Sequence, residues 1–305
     1  MPPASVETVL AASPAQRAFL RVAAGRLTVL AYHGVDDPAR FEAQVRYLRR
    51  AMIPVSLADV AAAARGGGAL PPRAVLVTFD DGHRSVLDAG ASILAEHGVP
   101  AVAFVVAGLL DTDQPFWWTV VERLVAAGGR TGVYAGPPDP RAVVRALKRV
   151  PDADRLAAIE ELRSSVPDAP AGATLQLRSH ELAALESAGI AVANHTWSHP
   201  VLPQCDPGTV AAEIRSAHDR LAAVLGHHPR AFAYPNGDHD QRAEALLADL
   251  GYEVAFLFDH RANALPVRHP LRLSRARIDA DDSLDRFKIV LSGLHPALHH
   301  LRGRP

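Results

Sequence analysis

Two adjacent carboxylates, Asp80 and Asp81, end the apolar run Ala74–Phe79 and precede Gly82. A short, uninterrupted run rich in β-branched and aromatic residues reads as a strand buried on both faces of a parallel sheet, with the glycine turning the chain out of it. The C-terminal end of such a strand is where α/β barrels gather catalytic groups. Because successive side chains point to different sides, one carboxylate can hold a metal while its neighbour remains a base. An isolated Asp-Asp-Gly is ordinarily a solvated turn, but a second group of residues argues otherwise. His195 and His199 follow the run 190–193 at a spacing of four, so one helical turn would put both imidazoles on one side. Two imidazoles and a carboxylate are the donor set of a catalytic zinc site with one position left open, and they accept other divalent ions too. In a chain with 15 histidines the spacing alone means little. Its weight comes from its place, at the end of another parallel strand on the same face as Asp80 and Asp81.

The elements that must position these groups alternate. Strands are expected over 27–32, 53–55, 74–79, 101–106, 190–193, 231–234 and 253–258, with an irregular one over 273–279. Helical stretches such as 41–52, 85–97, 207–225 and 241–250 lie between them, and a βαβα succession makes a parallel sheet. About seven or eight strands suffice for a barrel. Residues 1–26 read as a helical extension, with one amphipathic helix over 6–24, and 27–305 as the barrel domain. Within it, about 111–179 reads as an insertion, where Gly136-Pro137-Pro138 and the proline-rich 167–170 break the alternation. Whether the insertion is a lid over the barrel mouth or decoration outside it stays open at this level.

Composition narrows the function. Half the residues are hydrophobic and 21% are charged, with a net charge of −1. No basic cluster tracks one helix face, so nucleic acid is not expected as a partner. The one cysteine, Cys205, forms no intrachain disulfide and suits a reducing compartment. No basic, apolar leader and no run of membrane-spanning length stands out, so the expected address is the cytoplasm, without a membrane span.

Thr78-Phe79-Asp80-Asp81-Gly82 and His195-Thr196-Trp197-Ser198-His199-Pro200 resemble the first two motifs of the polysaccharide deacetylases, carbohydrate esterase family 4. Leu30-Ala31-Tyr32-His33-Gly34-Val35, Phe116-Trp117-Trp118 and Phe232-Ala233-Tyr234-Pro235-Asn236-Gly237 are similar to members encoded with bacterial exopolysaccharide and glycan genes. The resemblance runs from about residue 27 to 294. It implies a deformed (β/α)7 barrel with a helical insertion, one divalent metal ion, usually Zn2+, and hydrolysis of N-acetyl groups on an amino sugar of a glycan or sugar conjugate. Relatives of this fold also cleave formyl groups and small-molecule amides, which leaves a deformylase or amidohydrolase as the alternative.

Carried onto this chain, the resemblance gives Asp81, His195 and His199 to the metal and the general base to Asp80. It gives the backbone N–H of Tyr234 to the oxyanion. Trp117, Trp118, Trp197 and Asn236 become candidates for contact with a carbohydrate substrate. Two family features are missing. Ala233 stands where many members carry the arginine that pairs with the base, and Arg275 or Arg277 in the late strand is the candidate replacement. The late Leu-x-His motif that supplies the general acid is absent. His33, ending the first strand, is assigned that role, because in a closed barrel the first strand lies beside the last.

Overall fold

A computed structural model describes residues 6–169, 174–279 and 282–294. The end of the expected 27–305 domain and Pro170 of the proline-rich stretch lie outside the described residues. Among the described residues nine strands form one sheet: β1 (Arg26–Tyr32), β2 (Ile53–Pro54), β3 (Ala74–Phe79), β4 (Ala101–Val105), β5 (Ile190–Asn194), β6 (Ala231–Ala233), β7 (Val254–Phe256), β8 (Asn263–Ala264) and β9 (Ala276–Arg277). The order is β7-β6-β5-β4-β3-β1-β8, with β2 on β3 and β9 on β1, and β8 is the antiparallel member. The sheet curls until residues 273–277 bridge its two ends. Leu273 pairs with Phe256 of β7, and Ala276 and Arg277 pair with Leu30 and Ala31 of β1. This is the deformed (β/α)7 barrel.

The period-2 alternation of the strands decides what faces inward. Leu27, Val29, Ala74, Leu76, Val102, Phe104, Ala193, Ala233, Phe256 and Leu273 meet in one cluster, the barrel interior. Leu30, Tyr32, Val75, Val77, Phe79, Ala103 and Val192, one residue out of step, pack outward against the surrounding helices. β2 is only a two-residue stub beside β3, and Pro54, which has no N–H to donate, limits its ladder.

Helix ends follow local chemistry. Asp206 accepts from the Gly208 and Thr209 amides to open Pro207–Leu225, and left-handed Gly226 closes it. The expected single helix over 6–24 is instead two, Val6–Ala12 and Pro14–Val22. Ser13 caps the second, and Pro14 fits its first turn but has no N–H with which to continue the first. Gln16 then anchors this segment to the closing helix Leu284–Leu291, donating to the Lys288 carbonyl at 2.7 Å and accepting from Ser292 Oγ at 2.9 Å.

Between β4 and β5 the helices Trp117–Ala126, Pro140–Leu147 and Asp152–Ser165 bury their own core, built around Val121, Leu124, Val144, Leu147, Ile159 and Leu162. Among the described residues no helix is long and apolar enough to cross a membrane.

Candidate active site

The inward register that fills the barrel with Leu76 and Ala193 continues past the strand ends to Asp80 and His195. Asp80 donates its amide to the Tyr32 carbonyl at 2.8 Å, and His195 donates its own to Val105 at 3.0 Å, so both extend the ladders by one residue. Asp81 would face the helices if the strand went on. It turns inward because it adopts φ 72° and Gly82 follows at φ 74°. A Cβ on Gly82 would meet Val105 Cγ1 at 3.2 Å in a conformation that side chains resist.

The two histidines are not brought together by a helical turn. Residues 195–200 form an irregular loop in which Thr196 and His199 take positive φ of 69° and 59°. Bonds replace the helix. The Thr196 amide donates to Asn194 Oδ1, the His199 amide to Thr196 Oγ1, and the Trp197 and Ser198 amides to one oxygen of Glu213. Non-glycine residues held in this region concentrate at functional sites.

In this loop His195 Nε2 and His199 Nε2 stand 3.5 and 3.6 Å from Asp81 Oδ1. All three side chains are buried, and their donor atoms lie within 4.8 Å of one another. His195 Nδ1 is 2.8 Å from the Ala233 carbonyl, which fixes the proton on Nδ1 and leaves the Nε2 lone pair free. Asp81 Oδ1 is buried without a hydrogen-bond donor, a costly state unless something positive fills the gap. Burial and the neighbouring His195 hold His199 down to about 3, so its imidazole is neutral, as a ligand must be. Burial pushes the Asp81 carboxyl upward, but the imidazoles around it, His195 first, outweigh that and hold the group below the usual carboxylate range. The donor set fits a divalent cation.

Asp80 has a different environment. Arg275 grips it with both ends of the guanidinium, Nη1 to Oδ1 at 2.6 Å and Nη2 to Oδ2 at 2.8 Å. The arginine is fully buried and also donates to the Leu257 carbonyl and Thr78 Oγ1. Burial raises the Asp80 carboxyl, but the fields of Arg275 and His195 together hold it below the usual carboxylate range. Of the two late arginines it is therefore Arg275 that faces Asp80. Arg277, two residues nearer the mouth, pairs with Asp279. His33 follows Ala31 into the inward register and lines the same cavity as both carboxyls.

The cavity above these groups has a volume of about 770 Å³, within the range of small-molecule sites. The polysaccharide deacetylase family profile matches residues 67–134 and 165–255, a little over half of the chain and all of the Asp80–Asp81 and His195–His199 segments. The chain belongs to the polysaccharide deacetylase family. It is 33% identical over 124 residues to the poly-β-1,6-N-acetyl-D-glucosamine N-deacetylase of Escherichia coli, a match covering 37% of this chain and 17% of that protein. It is 32% identical over 76 residues to chitin deacetylase 2 of Saccharomyces cerevisiae, covering 25% and 24%. The matches thus span a quarter or less of each curated relative's length. The structure of IcaB from Ammonifex degensii superposes with a TM-score of 0.61 at 20% identity, over 88% of this chain and 97% of that one, and shares the fold.

Several expectations drawn from the polysaccharide deacetylase motifs need correction. The Tyr234 amide is not available to an oxyanion, since it donates to the Phe256 carbonyl at 3.0 Å in the ladder to β7. The Tyr234 side chain shares the outward register of Phe232 and packs among the helices, with its hydroxyl on the Leu271 carbonyl. Trp197 does not line the cavity. It packs against the outer core, and its carbonyl accepts from the Gly108 amide at 2.8 Å. Trp117 is also outside the lining. Its indole N–H donates to the His199 carbonyl at 3.0 Å, and Arg155 lies over its ring. Trp118 and Asn236 do line the cavity, and Trp118 stands edge-on to His199 with centroids 4.7 Å apart.

Other lining residues went unanticipated. His83 follows Gly82 and is bonded through Nδ1 to Ser85 Oγ. Lys148 ends the helix Pro140–Leu147 and donates to Asn236 Oδ1 at 2.5 Å. His83 had a readable signal in its position beside Asp81. Lys148 had none, because only the packing of the insertion brings it to the barrel.

Proposed function

We propose that the protein is a metal-dependent hydrolase that removes the N-acetyl group from an amino sugar in a glycan or sugar conjugate. One observation carries this reading: a His₂Asp donor set with a partnerless carboxylate oxygen stands beside a second carboxylate held by its own arginine. Asp81, His195 and His199 would hold the ion, with zinc favoured by the two imidazoles and one carboxylate. When bound, such an ion supplies Lewis acidity toward the acyl carbonyl and the attacking water.

The protein's own groups do the rest. Asp80, kept ionised and oriented by Arg275, accepts the proton of the attacking water. His33 donates a proton to the sugar nitrogen as the carbon–nitrogen bond breaks. Asn236 lines the cavity at φ 57°, next in the chain to the Tyr234-Pro235 step, and its amide takes the place of Tyr234's as the oxyanion donor. Trp118 supplies an apolar wall for the sugar ring. Cys205 takes no part, because burial pushes its thiol up to about 12. A reduced, buried cysteine is consistent with a cytoplasmic address.

The test is release of acid from N-acetylated and N-formylated amino sugars by protein loaded with zinc, before and after chelation. Acetate release that disappears with chelator and returns with zinc supports the reading. Formate alone as product would move the protein to the deformylases, and metal-independent release would remove the metal from the mechanism.

A further inference from the structure

The helix Pro140–Leu147 turns Val143, Val144 and Leu147 into the core of the insertion. Its other side presents Arg141, Arg145 and, just past its end, Lys148 at spacings of four and three, and all three line the cavity. Arg277 of β9 adds a fourth cation. The countercharge is thin. Arg145 has Asp139 at 3.6 Å and Arg277 has Asp279, whereas Lys148 is bonded to the neutral Asn236 with the Asp238 carboxylate nearby, and Arg141 has no carboxylate partner among the described residues. Beyond the Arg275-paired Asp80 and the metal ligand Asp81, Glu122 is the one acid in the lining. This helix also lies within 135–164, the stretch that the family profile skips, so the cationic wall is no part of the shared deacetylase core.

We propose that the substrate is a phosphate-bearing N-acyl amino sugar, its phosphate held by Arg141, Arg145, Lys148 and Arg277 while the acyl group reaches the His₂Asp centre. The inference rests on the hydrolase reading for the acyl end only. Guanidinium groups match phosphate oxygens two at a time, and several cations on one wall call for a group with more than one negative charge, which a single carboxylate does not provide. A neutral chitin-like chain would bring no anion to this wall.

Binding and turnover are measured separately on the zinc-loaded full chain. Calorimetry compares N-acetylglucosamine 1-phosphate, a nucleoside diphosphate N-acetylglucosamine, an N-acetylated disaccharide containing a uronate, and neutral tetra-N-acetylchitotetraose. Wild type and the Arg141→Glu/Arg145→Glu variant are titrated at low and high salt. The expected result is a preference for a phosphate-bearing ligand over the neutral one of on the order of 10-fold or more, falling with salt and lost in the variant. Comparison of the two phosphate ligands tells a sugar monophosphate from a diphosphate. A preference that survives charge reversal would place the phosphate on the metal and overturn the proposal, as would equal binding of the neutral chain or tighter binding of the uronate. Turnover separates the two readings. Phosphate-selective, Arg-dependent binding without acid release from any substrate keeps the anion site and rejects the hydrolase. Acid release from the neutral chain without that binding does the reverse.

Discussion

Replacing Arg275 by Met removes the guanidinium that grips Asp80 while keeping much of the side chain's length. Both partners are nearly free of solvent contact, at 0% and 6% side-chain exposure, and the pair is bidentate at 2.6 and 2.8 Å. Breaking such a buried pair from one side leaves an uncompensated charge and costs about 3–5 kcal/mol. The same arginine keeps the Asp80 carboxyl low against a burial that raises it. Without it, burial acts largely unopposed and the carboxyl should rise.

The sign follows from the direction of that shift. In the wild type the pair's contribution is present above the unfolded carboxylate pKa and is lost as pH falls through the lower folded value. In Arg275→Met the folded pKa moves up, so protonation relieves the buried charge. The stability deficit should therefore shrink as pH falls, and the acid limb of kcat/KM should move to higher pH. Urea unfolding of metal-free protein at several pH values and a pH–rate profile of the zinc-loaded enzyme read the two effects. Asp80→Asn/Arg275→Met should recover much of the stability lost by the single arginine variant, as expected when one lesion strands the other partner. An acid limb that stays in place, with a deficit independent of pH, would refute the assignment of Arg275 as the group that keeps Asp80 charged.

Further outcomes follow from the same geometry. His199→Ala should lose stoichiometric zinc together with activity, and one tightly held metal per chain in that variant would break the ligand assignment. Asp80→Asn should keep its zinc and lose on the order of 10²-fold or more in rate, so near-normal turnover would remove it as base. His33→Gln should also retain zinc and lower kcat by on the order of 10²-fold, flattening the alkaline limb, and a change of only a few-fold would require another acid. Trp117→Phe cuts the bond to the His199 carbonyl and should weaken zinc binding by about 10-fold, as outer-shell partners do, which a competition assay with a chromogenic chelator measures.

The groups that were legible from the sequence are those whose direction is set by strand register. Asp80, His195 and Arg275 continue inward positions already marked by Leu76, Ala193 and Leu273, so an apolar run and its parity place them. The same parity, followed one strand further, puts Tyr234 with Phe232 on the outer side, and the motif likeness hid this. The 195–199 loop was misread because a spacing of four looks helical. Left-handed Thr196 and His199 reach the same juxtaposition with the help of the Thr196 hydroxyl and of the Asn194 and Glu213 side chains, the last two lying outside the motif or well along the chain. Lys148, Arg141 and Arg145 were invisible as site residues because an amphipathic helix tells which face is buried but not what its other face looks onto.

Closure of the barrel by residues 273–277 also orders events in time. The Asp80–Asp81 and His195–His199 segments leave the ribosome well before Arg275, so the proposed metal donors are all synthesised while the proposed proton acceptor still lacks its cation. Until residues 273–277 dock between β7 and β1, Asp80 lacks the guanidinium that lowers its carboxyl. Docking of residues 273–277 is thus the step that brings the Arg275 guanidinium to Asp80 and holds its carboxyl in the ionised form.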